Sequence, residues 1–103
     1  MPDSADATLD GAGSRELTIV NRRGLHARAS AKFVRIVEAH DASVQVSKDG
    51  QTVDGTSIMG LLMLGAGPGS TIRVDAGGKD AAAVLAALAA IVDEGFGEDL
   101  GDE

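Results

Sequence analysis

The stretch ASVQVSKDGQTVDG, residues 42 to 55, constrains the fold more than any other part of the chain. Val44 and Val46 alternate with Ser43, Gln45 and Ser47 ahead of Asp49-Gly50, and QTVD follows it. An Asp-Gly pair suits a two-residue turn with left-handed backbone at both positions, so the segment predicts an antiparallel hairpin. A hairpin with one apolar face is stable only with further strands and a layer to cover that face.

The remaining elements supply both. ELTIVN alternates and predicts a first strand over residues 15–21. A helix is predicted from Ala27 to about Ala39, because Ala29, Phe33, Ile36 and Val37 share one face and Arg28, Lys32 and Arg35 another. Ser57 caps a short helix, SIMGLLML, which Gly65 ends. STIRVDA reads as a fourth strand, and KDAAAVLAALAAIVDE as an alanine-rich helix closed near Gly95. The order βαββαβα implies an α+β layer, antiparallel strands with helices on one face. Val20, Val44, Val46, Val53, Ile72 and Val74 are expected to meet Phe33, Val37, Leu61, Leu64, Leu85 and Leu88. Of the two aromatics, Phe33 and Phe96, the second is expected to pin the C-terminal end.

The formal charge of −7 is unevenly spread. Residues 15 to 92 carry all nine Lys and Arg against seven acids, and the other nine acids lie outside that span. Residues 1–14 and 95–103, rich in Gly, Ala, Ser and acid, read as disordered acidic tails around a single domain at 15–94. Five basic residues, Arg22, Arg23, Arg28, Lys32 and Arg35, fall in the acid-free run from Leu17 to Val37. They predict a local positive face.

That run contains NRRGLHARASAK, residues 21 to 32, where a helix opens on histidine without an acid in its first turn. Helix starts usually carry oxygens that satisfy free N–H groups and the positive dipole end. With Gly24 as a tight entry, Leu25 as an anchor and His26 at the cap, the N–H groups of Ala27, Arg28 and Ala29 are expected to face outward unpaired. Such a start is an anion site suited to phosphate, and the Arg28 guanidinium can add a bidentate contact. A neutral imidazole there offers a ring nitrogen as nucleophile, which makes His26 a candidate phosphoryl acceptor. The plainer alternative is an exposed loop histidine beside a solvated basic face. His40, at a helix C-terminus, reads as structural or surface.

The helix SIMGLLML is apolar all round. Leu61 and Leu64 fit a buried stripe, which leaves Ile58, Met59 and Leu62 either as an exposed partner patch or packed under the neighbouring loop. The absence of Cys excludes disulfides and thiolate chemistry, and two histidines without clustered carboxylates leave no recognisable metal site. The acidic N-terminus is unlike a signal peptide and no apolar run could span a bilayer, so a cytoplasmic protein is expected, without membrane contact. A sheet without stacking aromatics argues against nucleic acid. A small regulatory binding domain without phosphotransfer remains an alternative.

GLHARASAKF, followed some thirty residues later by VDGTSIMGLLMLGA, resembles the HPr family of histidine-containing phosphocarriers of the bacterial phosphotransferase system. The resemblance covers roughly residues 15 to 94. It implies an open-faced β-sandwich, a four-stranded antiparallel sheet with three helices on one face. It further implies that His26 is phosphorylated on Nδ1 by enzyme I with Arg28 assisting, and passes the group to IIA-type proteins for sugar uptake or for nitrogen and carbon regulation. Ser57 corresponds to the site of HPr kinase/phosphorylase. Arg22, Arg23, Lys32, Ile58, Met59 and Leu62 would form the partner surface of a monomeric carrier that needs no cofactor and is a transfer intermediate, not an independent catalyst. Ala29 stands where proline is commoner, the loop GAGPGS lacks a basic residue often found there, and ARAS is more like alphaproteobacterial forms, including the nitrogen-type system.

Overall fold

The computed structural model describes residues 13–98. Its elements are β1 (Gly13–Thr18), α1 (Ala27–Glu38), β2 (Ser43–Lys48), β3 (Gln51–Asp54), α2 (Ile58–Met63), β4 (Thr71–Gly77) and α3 (Ala81–Asp93), then a 3₁₀ turn at Gly95–Gly97. The strands form one antiparallel sheet in the order β1-β4-β2-β3, so the last strand in sequence lies between the first two. The α+β architecture with three helices is therefore as expected. In the β2–β3 hairpin Lys48 pairs with Gln51. Asp49 (φ 50°) and Gly50 (φ 84°) supply the two left-handed residues between them.

The sheet has one buried face. Val44 and Val46 on β2, with Ile72, Val74 and Ala76 on β4, point into a core shared with Phe33 and Val37 of α1, Leu61 and Leu64, and Val84, Leu85, Leu88 and Val92 of α3. Each Val, Ile, Leu and Phe among them contributes on the order of 1.5–3 kcal/mol by leaving water. Val53 is only half-buried at the edge of this core. Asp80, before α3, does not cap its own helix. Its carboxylate accepts the Asp41 N–H at 2.7 Å while its N–H donates to the Asp41 carbonyl at 2.9 Å, tying the start of α3 to the loop after α1.

Three expectations are corrected. Val20 is 43% exposed, and the inward residues of the first strand region are Leu17 and Ile19. In β1 Leu17 pairs with Ile72, and beyond it Ile19 N–H donates to the Ser70 carbonyl at 2.8 Å, so pairing fixes the parity that decides which residues face the core. The strand also begins earlier than residue 15, because Gly13 and Ser14 pair with Ala76 and Asp75. At the other end, residues 95–98 fold back onto the domain. Phe96 is buried and its carbonyl accepts from Lys32 Nζ at 2.7 Å. The rest of the two acidic tails, residues 1–12 and 99–103, lies outside the described residues. Among the described residues no helix is long and apolar enough to cross a membrane.

Candidate functional site

The approach to α1 is held from both sides. Gly24 takes φ 64° and sits against the Ala66 carbonyl, where a Cβ would lie within 2.9 Å of the Gly67 Cα. Leu25, buried, donates its N–H to that same carbonyl at 2.9 Å. Asn21 is fully buried and donates from Nδ2 to the Gly24 carbonyl at 2.9 Å. This bracing delivers His26 to the N-cap with extended backbone (φ −76°, ψ −177°), and its carbonyl accepts the Ser30 N–H at 2.8 Å.

His26 therefore caps with its side chain. Nδ1 accepts the Arg28 N–H at 3.3 Å, a long bond of the kind an Asp or Ser oxygen usually makes. This corrects the expectation of three unpaired outward amides. Arg28 N–H is taken by the imidazole, and Ala29 is fully buried because its methyl belongs to the core face it shares with Phe33 and Val37. Ala27 and Arg28 are exposed.

An acid nevertheless meets His26. No acidic residue lies in the first turn of α1, but Glu98 reaches the site from 72 residues away, its Oε2 bonded to His26 Nε2 and its Oε1 accepting from Asn21 Nδ2 at 3.1 Å. Burial pushes the Glu98 carboxyl up, but bonds from His26 and Asn21 and the charges of His26 and Arg23 outweigh it, and the net effect holds it below the ordinary 4.5. A carboxyl lowered in the fold stabilises above the unfolded value and loses that contribution as pH falls through the folded one. Thermal melts should accordingly show Glu98→Gln less stable than wild type near neutrality, with the gap closing as pH falls below 4.5; a gap independent of pH would contradict the contact.

Around this centre Arg22, Arg23, Arg28 and Arg35 are exposed, whereas Lys32 is half-buried and committed to the Phe96 carbonyl. The basic face exists with one member drawn into packing. His40 lies at the end of α1 with Nδ1 at 2.7 Å from the Ile36 carbonyl, a structural placement. On α2, Ile58 and Met59 (67%) are exposed and Leu62 is half-buried. Met63, at 71%, joins this apolar patch and was missed because its position reads equally as buried stripe or surface. Ser57 Oγ accepts the Gly60 N–H at 2.9 Å as the α2 cap.

Residues 13–94 match the family model described as the PTS HPr component phosphorylation site. The chain is 44% identical over 84 residues to the phosphocarrier protein HPr of Cupriavidus necator, covering 82% of this chain and 94% of that protein. It is 40% identical over 84 residues to the phosphocarrier protein NPr of Shewanella violacea, covering 82% and 92%. The crystal structure of HPr-C-His from Thermoanaerobacter tengcongensis superposes with a TM-score of 0.82 at 34% identity, covering 85% of this chain and 99% of that one.

Proposed function

Because the chain belongs to the HPr family of phosphocarriers of the phosphotransferase system, we propose that His26 accepts a phosphoryl group on Nδ1 from phosphorylated enzyme I and hands it to a IIA-type protein. The observation that carries this is the His26 cap itself, with Nδ1 turned to the first-turn amide of Arg28 and so bearing the ring's lone pair. Nδ1 attacks the phosphorus in line with the leaving nitrogen of the donor, and the Arg28 N–H passes from that lone pair to a phosphoryl oxygen. The Ala27 N–H, the helix dipole and the Arg28 guanidinium stabilise the remaining equatorial charge. The same arrangement run backwards releases the group to the acceptor.

Docking rests on two surfaces, one basic and one apolar. Arg22, Arg23 and Arg35 steer acidic partners, and Ile58, Met59, Leu62 and Met63 add a small apolar contact that releases quickly. A phosphate on Ser57, placed there by an HPr kinase, would lie at the start of α2 beside this apolar contact and disfavour an acidic partner.

The relay is tested by phosphorylating the protein, removing enzyme I and adding a IIA-type protein of the same organism. Transfer of the group to the IIA protein, slowed by Met59→Asp with the melting temperature unchanged, is the expected result. A phosphorylated protein that only hydrolyses in the presence of its IIA partners would contradict the carrier role.

A further inference from the structure

We propose that Glu98 is a positioning residue for phosphoryl transfer: its carboxylate keeps the imidazole proton of His26 on Nε2 and so leaves the Nδ1 lone pair as the nucleophile. The inference deepens the carrier reading and rests on it. Two contacts on opposite sides of the ring agree on this tautomer. Nδ1 accepts from the Arg28 N–H and therefore carries no proton, while Nε2 meets a carboxylate oxygen and therefore does.

Glu98 is held in place from several directions. Its second oxygen accepts from Asn21 Nδ2, and Asn21 is fully buried and bonded to the carbonyl of Gly24, two residues before His26. Upstream of Glu98 the chain turns through three left-handed residues, Gly95 (φ 65°), Phe96 (φ 57°) and Gly97 (φ 76°). A left-handed phenylalanine is strained, and it persists here with its ring buried and its carbonyl tied to Lys32, one turn along α1 from Arg28. This pinned segment aims Glu98 at the imidazole. The His26 and Glu98 side chains are only 16% and 17% exposed, so solvent does little to weaken the pair.

The chemistry balances without a proton leaving the site. The Nδ1 lone pair forms the new N–P bond as the donor's N–P bond breaks, its electron pair returning to the donor nitrogen. The His26 ring becomes a phosphoimidazolium that still holds its Nε2 proton. Its new positive charge forms against the Glu98 carboxylate, which is where stabilisation is needed in the transition state. Asn21 fixes the carboxylate, and Arg23, whose charge acts on Glu98, helps to keep it ionised.

The test uses histidine-¹⁵N-labelled full-length protein. Long-range ¹H–¹⁵N spectra read the tautomer of His26, with His40 as an internal control, and rapid-quench assays with enzyme I and phosphoenolpyruvate read the transfer rate. Glu98→Ala is expected to raise the Nδ1–H fraction of His26, leave His40 unchanged and slow transfer about fivefold, the loss of one charge-assisted hydrogen bond at a partly covered site. Glu98→Gln, whose amide oxygen still accepts the Nε2 proton, should keep the tautomer but slow transfer about threefold by loss of charge alone. Wild-type tautomer and rate in both variants overturns the inference, as does faster transfer, which would make the segment a shield. Folded wild type that takes no phosphate overturns the carrier reading itself, whereas failure confined to the Glu98 arms leaves that reading intact.

Discussion

Arg28→Ala should fold like wild type and take phosphate about a hundredfold more slowly, the effect of removing one preorganised charge donor from a developing anion. Arg28 lies exposed on the first turn of α1, clear of the core side of that helix, so the stability change should stay within about 0.5 kcal/mol. Its backbone N–H survives the substitution, which separates the guanidinium's role from the amide's. Arg28→Lys keeps a charge but loses the planar fork, and should recover part of the rate. Single-turnover transfer from enzyme I checks the series. Unchanged transfer in Arg28→Ala would mean that the amides and the dipole suffice.

The largest stability effect is expected from Gly24→Ala, about 3 kcal/mol from a left-handed backbone and a backbone clash combined. The added Cβ would press on the Ala66 carbonyl and lie 2.9 Å from the Gly67 Cα, so the Leu25–Ala66 hydrogen bond must stretch. For a domain of this size that loss lowers the melting temperature by roughly 12–24 °C. The distortion falls two residues before His26, so transfer should slow as well. Gly67→Ala is the control, since no atom lies within 4 Å of its would-be Cβ and its φ needs no glycine. It should change stability by no more than about 0.5 kcal/mol. Equal melting temperatures for the two variants would contradict the account of how the loop is braced.

What could be read from sequence was what local pattern encodes. The α1 face of Ala29, Phe33 and Val37 and the Asp49-Gly50 turn are set by residues within one or two turns of each other. The parity of the first strand was ambiguous because Leu17, Ile19 and Val20 include both odd and even positions, and only pairing with β4 decides between them. The central place of β4 is likewise a long-range outcome. At the site, His26 and Arg28 are adjacent and were legible, whereas Glu98 is one acid among several in an acidic stretch. The aromatic beside it was the only cue, since a lone Phe96 between two glycines is a residue with reason to dock. Lys32 shows the converse, a charge placed with the basic face by its spacing and drawn away by a carbonyl that no local pattern announces.

The most direct measurement is intact mass after incubation with enzyme I, Mg²⁺ and phosphoenolpyruvate, with His26→Ala alongside. Wild type is expected to gain one acid-labile phosphoryl group and His26→Ala none. A folded wild-type protein that gains nothing from its cognate enzyme I, or a His26→Ala variant that gains the same group, would contradict His26 as the phosphoryl acceptor.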